Sequence, residues 1–182
     1  MNYYFDTEFM EDGKTIELLS IGIVAEDGRE LYLENSEADH SKANAFVKAE
    51  VLPYLERSEE VLRTKKQIAK AVRKFCLDDL NNLQRQAQHQ FWAYYCAYDW
   101  VVMCQLFGNM TDLPEGFPMW CHDLMQTGVE VRKVTHEKNC WIAGGDVKFR
   151  IPGFNKHHAL HDARWCKLAY HAIEQVRDKR GF

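Results

Sequence analysis

The sequence predicts an α/β protein whose core is a mixed five-stranded sheet, an antiparallel three-strand meander plus parallel strands, flanked by helices. Three observations lead there. Short apolar or alternating stretches fill the first part of the chain, joined through Asp12-Gly13 and Asp27-Gly28, pairs that tight hairpin turns favour. Stretches with helical spacing then alternate with a short, densely aromatic run. No repeat, low-complexity tract or linker interrupts the 182 residues, a length that suits one ordinary domain better than two, so 1–182 is expected to be one unit.

Each element follows from its pattern. Tyr3 to Glu8 is a short aromatic strand, Ile16 to Ala25 a longer apolar one, and Arg29 to Glu34 alternates polar and apolar residues. Type I′ turns need positive φ at both central residues, which the two Asp-Gly pairs tolerate, so these strands should form a meander with the N-terminal strand inside the sheet. Ala43 to Leu55 reads as a helix with Phe46, Val47, Val51 and Leu55 on one side and Pro53 near its end. A second helix is expected from about Thr64 to Leu77, with Ile68, Val72 (or Ala71) and Phe75 at helical spacing and Lys65, Lys66, Lys70, Arg73 and Lys74 on a solvated face. Gln90 to Tyr98 suits a strand buried on both faces. Trp100 to Phe107 reads as a helix, Phe117 to Cys121 as a fifth strand, about Arg132 to Lys156 as loops, and Ala159 to Val176 as a closing helix. That order is the layout of a ribonuclease-H-like fold.

Composition narrows the class. An apolar fraction of 46% and an aromatic fraction of 13% belong to a packed globular protein. No apolar run is long enough to cross a bilayer, and the start Met-Asn-Tyr-Tyr-Phe-Asp has no signal-peptide character, so a cytoplasmic location is expected. Cys76, Cys96, Cys104, Cys121, Cys140 and Cys166 show no zinc-site spacing and read as reduced packing residues. The formal charge of −4 argues against coating nucleic acid through a basic face. It leaves room for an enzyme that holds a few terminal nucleotides around cations bound by acids.

Four acids carry the chemistry. Asp6 and Glu8 lie two apart at the end of the first strand, so both carboxylates project to one side about 7 Å apart, a spacing suited to a hard cation. Alone, they also read as solvated charges at a strand end. Asp99 ends the aromatic strand and precedes a helix, at the edge where open α/β sheets place ligands. A right-handed crossover would lay that strand parallel to the first and bring Asp99 near Asp6; helix N-capping is the plain alternative. Asp162 sits in the first turns of the last helix, where the macrodipole favours an acid, beside His157, His158 and His161. A zinc site would need further ligands, and no suitably spaced Cys or His partner appears elsewhere apart from the scattered His122 and His136.

The three segments Asp6-Thr7-Glu8, Ala97-Tyr98-Asp99-Trp100 and His157-x-Ala159-x-x-Asp162 resemble, in order and separation, the DEDD exonucleases of the subclass with a catalytic histidine (DEDDh). Tyr-x-Asp-Thr-Glu-Phe-x-Glu-Asp-Gly from Tyr4, Thr-Ile-Glu-Leu-x-Ser-Ile-Gly from Thr15 and Ala-Glu-Asp-Gly-Arg-Glu from Ala25 are similar to the ribonuclease AS group, bacterial 3′→5′ exoribonucleases associated with polyadenylated RNA. Cys104-Gln105-Leu106 and Gly108 add to the match, which runs from Tyr4 to about Tyr170 and weakens between Ser36 and Gln90 and before His157.

The resemblance implies hydrolysis of single-stranded RNA from its free 3′ end to nucleoside 5′-monophosphates, with two Mg²⁺ (or Mn²⁺) ions stabilising attacking and departing oxygens. It implies Asp6 as bridging ligand, Glu8 and Asp162 as further ligands, Asp99 as a direct or water-mediated one, and His157 as general base. His158, one helical turn before Asp162, could pair with it, and His161 would point elsewhere. Thr7, Phe9 and Met10 follow the first motif toward the terminal nucleotide; Phe9, Tyr98 or Trp100 could stack on a base or pack in the core. Lys148, Arg150 and Lys156 could hold phosphates or be surface cations. Adenylate preference and a homodimer are carried by the resemblance alone. A DNA exonuclease with the same constellation, or a non-catalytic nucleic-acid-binding module on the same scaffold, are the competing readings.

Overall fold

The computed structural model describes residues 1–78, 89–135 and 156–180. Their strands are β1 (Asn2–Glu11), β2 (Ile16–Ala25), β3 (Glu30–Asn35), β4 (Leu62–Arg63), β5 (Gln90–Ala93) and β6 (His122–Asp123). The helices are α1 (Ala45–Glu50), α2 (Lys65–Arg73), α3 (Ala97–Phe107), α4 (Leu124–Thr135) and α5 (Ala159–Arg180). The six strands form one sheet in the order β4-β3-β2-β1-β5-β6. β1, β2 and β3 pair antiparallel, whereas β5 lies parallel to β1 and β6 parallel to β5. The architecture is a ribonuclease-H-like mixed sheet flanked by helices, with β1 inside the sheet.

Alternation along β1 divides the two layers. Tyr3 and Phe5 join Ile21, Ile23 and Phe91 in a core closed by Ile68 and Val72 of α2 and Trp100 and Met103 of α3. Tyr4 faces the other layer, with Trp92, Leu124, Trp165, Cys166 and Ile173. On α5 the buried positions Ala159, Asp162, Ala163, Cys166, Ala169 and Ile173 recur at helical spacing, and the small ones let the helix lie close on β1 and β2.

The departures from expectation have local causes. The helix expected over Ala43 to Leu55 stops at Glu50, and residues Leu52–Tyr54 tighten into a 3₁₀ turn, because Pro53 lacks the N–H that a longer α-helix would use. The strand expected to reach Tyr98 ends at Ala93: Tyr95 takes a φ of 56°, incompatible with a pleat, and α3 starts at Ala97. The fifth strand expected at Phe117 to Cys121 is instead His122–Asp123, pairing with Trp92 and Ala93. A further strand, Leu62–Arg63, adds to β3, and α4 occupies Leu124–Thr135, so helix replaces the start of the loop expected from about Arg132. Most of the expected loop before Lys156 lies outside the described residues. In both Asp-Gly turns only the glycine has positive φ, 81° at Gly13 and 91° at Gly28, so the turns are not type I′. Asp12 accepts from the Lys14 and Thr15 amides and closes the first of them.

Of the cysteines within the described residues, Cys76, Cys96, Cys104 and Cys166 are buried free thiols and Cys121 is half-buried. Cys140 lies outside those residues. No helix among them is long and apolar enough to cross a membrane.

Candidate active site

The site forms where β1 passes between two helix N-termini. Asp6 and Glu8 point to the α5 side, and one carboxylate oxygen from each, with one from Asp162, lie within 4.8 Å of one another. Glu8 and Asp162 are buried and Asp6 is half-buried. Negative groups this close and this dry repel unless a cation lies among them, and an all-oxygen donor set suits a hard divalent ion. Such a group of acids is also found without an ion; here the sheet and helix build it deliberately close.

Two backbone features create that closeness. Gly22 of β2 is the register partner of Asp6, and a Cβ built on it would collide with the carbonyl of Ala159 and the amide of Leu160. The missing side chain therefore lets the first turn of α5 rest on the sheet beside Asp6. The β1–β2 register also shifts between Glu8 and Phe9, from Glu8↔Ser20 to Phe9↔Leu18, so Leu19 is an extra residue. A bulge here bends the strand just past its second acid.

Asp99 arrives from the other layer. It is the third residue of α3, inside the helix and not at the N-cap, which is Cys96. Its Oδ1 accepts from the Thr7 amide at 2.8 Å and the Thr7 hydroxyl at 2.7 Å. It is therefore tied to the residue between Asp6 and Glu8, as the parallel β1–β5 pairing requires. Burial pushes the Asp99 carboxyl up from 3.8 to about 6; the Thr7 bonds oppose the rise and the charge of Asp162 adds to it. Burial pushes the Cys166 thiol well up, and the charges of Asp6, Asp162 and Asp99 push it the same way.

The histidines separate by geometry. His157 has a φ of 63°, a left-handed turn that sends its ring forward and its amide back: the N–H donates to Asp162 Oδ2 at 2.9 Å, and Nδ1 stands 4.0 Å from Glu8 Oε1. His158 is buried and stacks between Tyr32 and His161, with Nε2 3.4 Å from Glu56 Oε1, so the pairing expected with Asp162 is not what occupies this ring. What His158 gives Asp162 is its carbonyl, which accepts the Asp162 amide at 3.0 Å.

The aromatic candidates divide likewise. Phe9 and Tyr98 lie parallel, 5.7 Å between centroids and 7° between planes, and Tyr98 is 52% exposed. Trp100 is buried against Phe5 and Phe91 with its Nε1–H on the Met119 carbonyl, which makes it core and not a stacking surface. Met10 is buried with Leu19, Ala43, Val47 and Val51, and the Thr7 hydroxyl donates its proton to Asp99. Phe46, expected to face the core, is 55% exposed and stands edge-on to the His157 ring at 5.3 Å. Lys156 and the basic face of α2 are exposed, and Lys148 and Arg150 lie outside the described residues. No role at the site was expected for Gly22, Glu34, Phe46 or Glu56. A glycine inside an apolar strand was the one available signal, since it marks a close backbone approach.

The ribonuclease-H-like sheet thus gathers acids of β1 and α5, with the acid of α3 tied to the residue between the two on β1. The sequence profile described as the 3′-5′ exoribonuclease Rv2179c-like domain matches residues 1–174, and the chain belongs to that family. Two relatives from Mycobacterium tuberculosis are each 42% identical over 127 residues, 69% of this chain and 73% of theirs. They are the 3′-5′ exoribonuclease Rv2179c of strain ATCC 25618 / H37Rv and the 3′-5′ exoribonuclease MT2234.1 of strain CDC 1551 / Oshkosh.

Proposed function

We propose that this protein is a metal-dependent 3′→5′ exoribonuclease of the DEDDh type that releases nucleoside 5′-monophosphates from the 3′ end of single-stranded RNA. The observation that carries the reading is the meeting of Asp6, Glu8 and Asp162 oxygens within 4.8 Å beneath the His157 ring, in a chain of this family. Asp6, Glu8 and Asp162 would hold two Mg²⁺ ions, or Mn²⁺ in their place, with Asp99 contributing directly or through water. When bound, the pair supplies Lewis-acid stabilisation of the attacking and leaving oxygens and of the phosphate between them. His157 takes the proton of the attacking water at its ring nitrogen, a role that fits an imidazole leaning over carboxylates from a loop. Thr7 holds Asp99 at the angle the cluster needs. The exposed face of the Phe9–Tyr98 pair receives a base, and the Phe46 edge borders the far side of the His157 ring.

The same reading takes adenylate-rich RNA as the preferred substrate, a homodimer as the working form and the cytoplasm as the place of action. Its test is release of monophosphates from end-labelled RNA and DNA oligomers of equal sequence, with Mg²⁺, Mn²⁺ or EDTA. RNA shortened one nucleotide at a time only with metal is the expected result. Faster decay of DNA would overturn the RNA assignment, and decay of neither would favour a binding module. Poly(A) against poly(U) tests the base preference, and sedimentation tests the dimer.

A further inference from the structure

Beside the acidic cluster, the same sheet face carries a second buried polar assembly. The rows of the sheet run Asp6–Gly22–Tyr32 and Glu8–Ser20–Glu34, so Tyr32 and Glu34 stand two strands away from the motif acids. Glu34 is 1% exposed, a location that is costly for a carboxylate unless its oxygens are satisfied. It accepts from the Tyr32 hydroxyl at 2.7 Å, the Glu56 amide at 2.6 Å and the Arg57 amide at 3.0 Å. The 56–57 turn is thereby clamped to the sheet. The Glu56 side chain continues outward to His158 Nε2, and the His158 ring is held at 4.3 Å from Tyr32 and 4.4 Å from His161.

Among the described residues only Arg57, Tyr95 and His157 are non-glycine with positive φ. Two of these three strained residues lie at the ends of this linkage, Arg57 beside Glu56 and His157 beside His158. A left-handed residue persists where its surroundings over-determine it.

We infer that Tyr32, Glu34, Glu56 and His158 form a positioning device for His157. They lock the 56–57 turn and the His158 ring together, and so hold the His157 peptide in the left-handed turn that aims its ring at Glu8. Their effect reaches the site through His157, the residue next to His158. The inference rests on the reading of His157 as general base.

The test is a set of double-mutant cycles on single-turnover hydrolysis of labelled RNA with saturating Mg²⁺. Glu56→Ala is the first variant, because that side chain is 49% exposed. Glu56→Ala and His158→Phe, which keeps the stack, should each slow the chemical step about ten-fold or more. Glu56→Gln should recover most of the Glu56 loss, and RNA affinity and the Mg²⁺ half-saturation point should stay within about two-fold of wild type. In a His157→Ala background the same substitutions should change the residual rate little. Wild-type rates for Glu56→Ala and His158→Phe, or equal losses with and without His157, would overturn the assignment. Should Glu34→Ala fail to fold, Tyr32→Phe removes one clamp bond without removing the ring. A wild-type chain that releases no nucleotide, or a His157→Ala variant as fast as wild type, would sink the parent reading instead.

Discussion

Thr7 gives both its amide and its hydroxyl to a single oxygen of Asp99, at 2.8 and 2.7 Å. A residue between two acids of β1 thus anchors the acid of α3, and the inward side of the strand serves the chemistry displayed on its outward side. Removing the hydroxyl while keeping the shape isolates that tie. Thr7→Val should weaken activity about ten-fold, with a destabilisation of about 1–2 kcal/mol in urea unfolding. A variant with wild-type turnover at saturating metal would show that Asp99 needs no such anchor.

Asp99 itself gives a pH signature. Its carboxyl titrates near 6 in the folded chain against 3.8 for the ordinary group, because burial disfavours the charge. The folded chain therefore holds an extra proton between about pH 4 and 6, and metal-free stability falls as pH rises through that window. Asp99→Asn should abolish nucleotide release yet stabilise the metal-free protein at pH 7.5, by about 2–3 kcal/mol from the size of the shift. That gain should fade to nothing near pH 4. Melting in EDTA across the pH range measures it, and a gain independent of pH would refute the cause.

Gly22 predicts a purely steric failure. Gly22→Ala drives a methyl group into the backbone of Ala159 and Leu160, where no side chain can rotate away. The helix must lift from the sheet, at a cost of about 1–3 kcal/mol. Activity per folded molecule should drop at least ten-fold, since Asp162 moves away from Asp6. Chemical denaturation combined with rate measurements on the folded fraction decides it; full activity would mean the helix height is irrelevant.

His157 is held at a φ of 63°, which favours glycine. His157→Ala and His157→Gly should both lose turnover and retain RNA binding. The glycine variant should be the more stable of the two by about 1 kcal/mol. The reverse order in a thermal melt would argue that the left-handed turn relaxes once the ring is gone.

The aromatic pair separates binding from packing. Tyr98→Ala, at a half-exposed ring, should raise the KM for RNA several-fold, in line with about 1–3 kcal/mol per stacked base, and leave the melting temperature nearly unchanged. Trp100→Ala should instead destabilise by about 3–5 kcal/mol, because that ring fills the core between Phe5 and Phe91. An unchanged KM for Tyr98→Ala would remove the pair from the substrate path.

Local pattern carried much of this protein. The aromatic and apolar runs of β1 and β2, the alternation of β3, the helical spacing of α2 and the closing helix α5 are properties of neighbouring residues, and they reappear in the fold. The three motif segments were legible for the same reason: Asp6-Thr7-Glu8, Asp99 and the His157 to Asp162 run are each short and contiguous. What stayed hidden depends on residues distant in the chain. Pro53 shortened α1, Phe46 came to lie against the His157 ring, and the φ of Tyr95 ended β5 early and put Asp99 inside a helix. The burial of Glu34, at the end of an alternating strand, depends on donors from the 56–57 turn, 22 residues on.

By itself, then, the order of side chains determined the strand and helix alphabet of the chain and which acids were candidates, because backbone preference and periodicity act over a few residues. Only the tertiary structure decided how close the acids come, which histidine leans over them and which aromatics are left facing solvent. Those outcomes turn on helix height above a glycine, one extra residue at Leu19 and the desolvation of paired groups, and each of these exists only once separate segments have packed.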